Sequence, residues 1–230
     1  LFINYNMTRP TKLNKIIASK YNAPANSAFD DQNFYNCVVD NYNYSNDALL
    51  SYTTNMSDAQ LESMNSLSCW TKNIKSVKGI EKLTNLTDLD LVGNDLTSLD
   101  VGKNTNLTRL DVDNNQLTSL DVSKNVKLTY LDVESNQLTS LKLPSESGNK
   151  LEKLYASNNQ ITSLDVSKNT NLTYLDADKN QLTSLNVNNN VNLTYLDASL
   201  NKLTSLDVSK NVKLEKLYAS NNQITSLDVS

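Results

Sequence analysis

Leucines fall on a fixed grid along the second two-thirds of this chain. The pattern LxxLx(L/V/A)xxNx(L/I)xxLx(V/L) starts at Leu86, Leu107, Leu128, Leu151, Leu172, Leu193 and Leu214, at intervals of 21 residues with one of 23. Within LTYLDA (193–198), Leu196 and Ala198 alternate with Tyr195, Asp197 and Ser199, the period-two signature of a half-buried strand. In LTSLDV (203–208), Leu206 and Val208 alternate with Ser205 and Asp207 in the same way. One unit buries about six aliphatic side chains, at roughly 1.5–3 kcal/mol each. Ordering it costs about 1.5 kcal/mol per residue, so a lone unit does not fold. Stacked units share one continuous core, and the pattern therefore predicts a solenoid. The longer unit holds KLPSESGNK (142–150), predicted as a surface loop on the side away from the first strand.

A second grid is polar. Asn94, Asn115, Asn136, Asn159, Asn180, Asn201 and Asn222 stand three residues after the last inward strand position of each unit. There the chain leaves the sheet, and its backbone groups need partners. A carboxamide donates and accepts at once, so a stacked asparagine column is predicted to be structural.

Upstream of the grid the pattern changes. Asp30 or Asp31 is placed to N-cap a helix with Phe34, Cys37, Val38 and Tyr42 on one face. Ser57 and Gln60 have capping-box spacing before a second short helix. Met64, Leu67 and Cys69 then repeat the strand spacing 22 residues ahead of Leu86, Leu89 and Leu91, but Lys72 holds the asparagine position. The ladder is therefore expected to begin at Asn94. Cys37 and Cys69 suit either a disulfide between the helix and this strand or two buried thiols.

Composition mainly excludes. The 230 residues carry a net charge of −4, with 38% hydrophobic residues and a pI of about 4.9. A concentrated basic surface for nucleic acid is absent, and no apolar run reaches membrane-span length. With no histidine and two cysteines, histidine-dependent nucleophile systems and four-cysteine metal centres are excluded. No cofactor or catalytic residue is expected. The chain begins at Leu1 without Met and stops at Ser230 in mid-phrase, so a longer parent protein is expected.

The seven units resemble bacterial leucine-rich repeats, in particular those of internalin-like surface proteins. NQLTSLDVSKN (115–125) and NKLTSLDVSKN (201–211) are most similar to the internalin J branch, and FDDQNFYNCVVDNYN (29–43) to the helical cap placed before the first repeat. That branch often carries cysteine where this chain has Val112, Val133, Ala156, Ala177, Ala198 and Ala219, leaving only Cys69. The resemblance implies a secreted or wall-anchored protein that attaches to host surfaces or mucus. The expected architecture is an α/β leucine-rich-repeat solenoid with parallel strands on a concave face, a mostly extended convex side and a small helical cap. Residues 1–28 are expected to form a tail, 29–82 the cap and its strand, and 83–230 the repeats.

Outward strand positions then form columns. Two residues after each first leucine stand Asp88, Arg109, Tyr130, Lys153, Tyr174, Tyr195 and Lys216. Four after stand Asp90, Asp111, Asp132, Tyr155, Asp176, Asp197 and Tyr218, and six after stand Val92, Asp113, Glu134, Ser157, Asp178, Ser199 and Ser220. The candidate binding residues are Tyr130, Tyr155, Tyr174, Tyr195, Tyr218, Lys153, Lys216, Asp111, Asp132, Asp176 and Asp197. Tyrosine suits protein partners and sugar rings; it also suits strands, where rings pack on one another. Stacked carboxylates repel by about 1 kcal/mol per neighbouring pair even in water. Arg109, solvent, a basic partner or calcium can offset this, although no DxDxDG loop is present to fix calcium geometry. The function expected is a monomeric, extracellular, non-enzymatic module that binds a host protein or a mucin-like glycan. The alternative is a spacer without a specific ligand.

Overall fold

A computed structural model of the chain describes residues 28–146, 148–225 and 227–228. The expected N-terminal tail falls outside them except for Ala28, which packs against the core.

The described chain opens with helix α1 (Gln32–Asn46). Asp31 caps it, Oδ1 accepting from the backbone N–H groups of Asn33 at 2.8 Å and Phe34 at 3.0 Å. Its other oxygen accepts from the N–H groups of Lys75 at 2.7 Å and Ser76 at 3.2 Å. One side chain thus starts the helix and ties it to the loop beneath. Phe34, Cys37 and Val38 are buried, but so are Tyr35 and Val39, while Tyr42 is only half-buried. The apolar face is broader than the sequence pattern indicated because residues 52–56 cover its far side. There the Tyr35 hydroxyl donates to Thr54 O and accepts from Met56 N. Helix α2 (Asp58–Glu62) begins with a capping box between Ser57 and Gln60.

Each repeat contributes one short strand to an eight-stranded parallel sheet. In order these are β1 (Ser66–Ser68), β2 (Asp88–Asp90), β3 (Arg109–Asp111), β5 (Tyr130–Asp132), β7 (Lys153–Tyr155), β8 (Tyr174–Asp176), β9 (Tyr195–Asp197) and β11 (Lys216–Tyr218). Their central residues, from Leu67 to Leu217, are register partners. Except for half-buried Leu217 these leucines are fully buried and form one core with the residues behind them. The opposite side is extended, with strand pairs β4 (Ser119–Asp121) with β6 (Ser140–Lys142) and β10 (Leu206–Asp207) with β12 (Leu227–Asp228). The structure is a parallel-sheet solenoid of leucine-rich repeats behind a helical cap.

A disulfide joins Cys37 of α1 to Cys69 beside β1, with Cα atoms 5.8 Å apart. Where each strand ends, the residue before the ladder asparagine is left-handed: Gly93, Asn114, Ser135, Asn158, Lys179, Leu200 and Asn221. The ladder asparagines close this turn. Asn115, for example, donates to Leu91 O at 3.0 Å and Val112 O at 3.1 Å, and accepts from Leu96 N at 3.1 Å. Asn94 donates to Cys69 O and accepts from Lys72 N, so the column reaches back to the cap strand.

A second asparagine column runs along the opposite side. Asn104, Asn125, Asn169, Asn190 and Asn211 are buried, and each side chain donates to backbone or carboxamide oxygens of the preceding turn. Its sequence signal is present in SKN (123–125, 167–169 and 209–211), where the lysine next to each asparagine suggests exposure. In the longer repeat Asn149 joins this column, accepting from Asn169 Nδ2 at 3.0 Å. Ser145, Glu146, Gly148 and Lys150 around it are exposed, so the extra residues form a surface turn.

Candidate concave binding face

The candidate residues lie together on the solvent side of the eight-stranded sheet because strand alternation turns them away from the leucines. Parallel in-register pairing puts Tyr174 beside Tyr195 and Asp176 beside Asp197. Tyr155 and Tyr218 stand in the carboxylate column, diagonal to the other tyrosines. The five rings therefore form a zigzag spine across β5, β7, β8, β9 and β11. Successive ring centroids are 5.3, 4.6, 4.2 and 5.7 Å apart from Tyr130 to Tyr218. Tyr174 and Tyr195 stack nearly parallel, at 6°. Their separation is shorter than the strand spacing of about 4.8 Å, as expected on the inside of an arc. Four of the rings are half-buried by this packing, while Tyr218 remains 47% exposed.

Arg109 caps the other end of the spine. Its guanidinium carbon sits 4.3 Å from the centroid of the Tyr130 ring, and Nη2 donates to Asp111 Oδ2 at 2.7 Å. A cation thus lies against an aromatic face and an acidic oxygen together. Lys153 and Lys216 are exposed, and no ion pair of theirs is found among the described residues.

The carboxylates carry the electrostatic cost of this crowding. Asp132 is pushed up to about 6, chiefly by burial and then by neighbouring Asp111 and Asp113. The N–H of Glu134 and the hydroxyl of Tyr130 oppose that shift. Asp176 is also pushed up to about 6, by burial first and then by Asp197, Asp178 and Glu134, against the N–H of Asp178. Burial raises Asp111, Asp113 and Asp178 as well. The hydroxyls of Tyr130, Tyr155, Tyr174 and Tyr195 are raised by burial too.

Among the described residues no three His, Cys, Asp or Glu side chains are grouped to hold a metal ion. The carboxylates are spread one strand apart instead of converging. Sequence reasoning missed Trp70, 59% exposed just beyond β1. Its signal was its place six residues after Met64, where the later units carry Val92, Asp113 and Glu134.

Comparison with known proteins gives a consistent family. The description "Leucine Rich repeats (2 copies)" matches residues 149–190, and "Leucine Rich repeat" matches 82–102, 103–124 and 124–141. Over 79 residues, 34% of this chain and 8% of the relative, the chain is 40% identical to Internalin J of Listeria monocytogenes serotype 4b (strain F2365). Among solved structures it is similar to the functional domain of InlJ from Listeria monocytogenes, which includes a cysteine ladder. Identity there is 35%, with 90% of this chain and 54% of that one covered and a TM-score of 0.50. An internalin C2 from Listeria monocytogenes str. 4b F2365 gives 27% identity, 89% and 90% coverage and a TM-score of 0.74. A leucine-rich-repeat protein of Leptospira interrogans gives 25%, 74% and 52%, and 0.60. The chain spans a small part of the curated relative and about half of the InlJ domain. It cannot build a cysteine ladder through its repeats, since Val112, Val133, Ala156, Ala177 and Ala198 fill the buried positions that follow its strands.

Proposed function

Because this chain belongs to the bacterial leucine-rich-repeat proteins of the internalin type, we propose that it is a non-enzymatic binding module that acts outside the cell. Its ligand is a host surface protein or glycan, held on the concave Tyr/Asp face. The observation that carries this reading is the continuous spine from Tyr130 to Tyr218, flanked by Asp132, Asp176 and Asp197. Tyrosine gives large contact area at low conformational cost, and its hydroxyl adds hydrogen bonds. The Cys37–Cys69 disulfide supports an oxidising compartment. No helix among the described residues is long and apolar enough to cross a membrane.

The mutual stacking of the rings favours protein over glycan, because the flat faces that sugars use are largely turned toward neighbouring rings. The spacer reading keeps one observation: LYASNNQITSLDVS occurs identically at 154–167 and 217–230, as recent repeat copying would leave it. Binding to immobilised mucin, a glycan array and a panel of host surface proteins separates these readings. Beside the chain runs a variant with Tyr155, Tyr174, Tyr195 and Tyr218 changed to Ala, with folding matched by circular dichroism. Loss of binding only in the variant is the expected result; absence of binding to every surface by both supports the spacer.

A further inference from the structure

Arg109–Leu110–Asp111 on β3 and the three Tyr–Leu–Asp rows on β5, β8 and β9 share one geometry, an outward residue and an outward aspartate flanking a buried leucine. In the first row the chain supplies its own cation. Arg109 lies on the Tyr130 ring at 4.3 Å and pairs with Asp111 at 2.7 Å. In the other rows the aromatic and acidic elements are present without a cation. Among the described residues no lysine or arginine pairs with Asp132, Asp176 or Asp197.

We propose that the concave face docks a protein segment bearing lysine or arginine side chains, which pair with Asp132, Asp176 and Asp197 as Arg109 pairs with Asp111. This rests on the binding-module reading and specifies its partner. Charge complementarity selects the occupant, since the carboxylates of this face outnumber its exposed Lys153 and Lys216 and Arg109 is already engaged. Side-chain shape selects it too. Lysine and arginine have an apolar stem and a cationic head, and here a ring column adjoins a carboxylate column. The stem lies along the tyrosine edges and the head reaches the aspartates.

A single metal ion does not match, because no three carboxylates converge among the described residues. Tyr155 divides the acidic column into Asp90, Asp111 and Asp132 on one side and Asp176 with Asp197 on the other. The divided groups are two strand spacings apart, about 10 Å from Asp132 to Asp176. The partner therefore presents at least two cations at about that separation.

The test titrates the whole chain with a fluorescent dodecapeptide of alternating arginine and serine, and with its glutamate–serine counterpart. Binding of the arginine peptide alone is expected. The triple variant Asp132→Asn, Asp176→Asn, Asp197→Asn keeps the backbone-facing acceptors and should weaken binding at least tenfold. An equal charge change on the opposite side, Asp121→Asn, Asp165→Asn, Asp207→Asn, should change it less than twofold. Arg109→Gln frees Asp111 and should tighten binding several-fold, whereas Lys142→Gln, with the same charge change, should not. Equal weakening by both triple variants, or no effect of the concave one, overturns the proposal. Panel binding that depends on the tyrosines but ignores the concave triple variant overturns the proposal alone; loss of all panel binding removes the underlying reading as well.

Discussion

Asn159 Oδ1 accepts a hydrogen bond from the backbone N–H of Leu138 at 2.9 Å, linking residues 21 positions apart in adjacent turns. The same side chain donates to Val133 O at 2.9 Å. Replacing it by Leu leaves the buried Leu138 N–H without a partner, at about 1–3 kcal/mol, while Val133 O keeps the amide of Asn136 at 3.2 Å. Asn159→Leu should lower stability by about 1–3 kcal/mol in chemical denaturation. An unchanged midpoint would show that this N–H finds water or another partner instead.

The same turns store strain where the sequence departs from its own consensus. Leu200 has φ 51° and is 42% exposed, at a position where other units carry Asn114, Asn158 and Asn221. A left-handed conformation costs an ordinary residue roughly 1–2 kcal/mol, and asparagine tolerates it better. Leu200 N–H donates to Ser220 O at 2.9 Å, a backbone bond that asparagine keeps. Leu200→Asn should therefore stabilise the protein by about 0.5–1 kcal/mol, despite removing an apolar side chain. A lower melting temperature would show that contacts of Leu200 outweigh the strain.

The leucine grid made the solenoid legible because the requirement it expresses is repeated and local: each unit needs its neighbours to bury Leu196-type positions. The extended opposite side followed from unit length. Less of the cap was legible, because Tyr35 and Val39 are buried by a loop that has no periodicity of its own. The second asparagine column was missed since a polar residue beside lysine suggests exposure, while burial of Asn125 comes from stacking across turns. For the candidate face, the columns were legible but their internal relations were not. Sequence placed Arg109 among acids; only the structure sets it on the Tyr130 ring and against Asp111.

The disulfide between Cys37 and Cys69 closes a sequence separation of 32. Chain-entropy reasoning assigns about 3–4 kcal/mol to a loop of this length. Reduction under native conditions, or the Cys37→Ala, Cys69→Ala variant, should lower the unfolding midpoint accordingly. Exchange protection should fall first at α1 and β1 and leave β8 and β9 near their starting values, because contacts in a solenoid run mainly between neighbours. Hydrogen exchange resolved by segment checks this. Uniform loss along the chain would mean that the cap and repeats unfold as one unit.

Acidity should stabilise this protein, contrary to the usual behaviour of paired carboxylates. Asp132 and Asp176 titrate near about 6 in the folded chain, raised first by burial, whereas an unfolded aspartate titrates near about 4. Between these values the folded state binds more protons than the unfolded state. Stability is therefore greatest near the lower end, falls as pH rises through about 6 and levels off above it. Asp121, Asp165 and Asp207 are lowered by hydrogen bonds from Ser123, Ser167 and Ser209, so their opposing effect appears only below about pH 4. The chain has no histidine to add its own transition across this range. Because both aspartates are partly exposed, screening reduces the expected gain from pH 7.5 to pH 5 to about 1–2 kcal/mol. Thermal unfolding at the two pH values measures it, and Asp132→Asn with Asp176→Asn should remove most of the difference. If stability instead rises between pH 5 and 7.5, these carboxylates are better solvated or better paired than their burial implies. The same titration bears on binding, since protonating Asp132 and Asp176 removes the charges that a basic partner would meet. An arginine peptide should consequently bind more weakly at pH 5 than at pH 7.5 while the protein itself grows more stable.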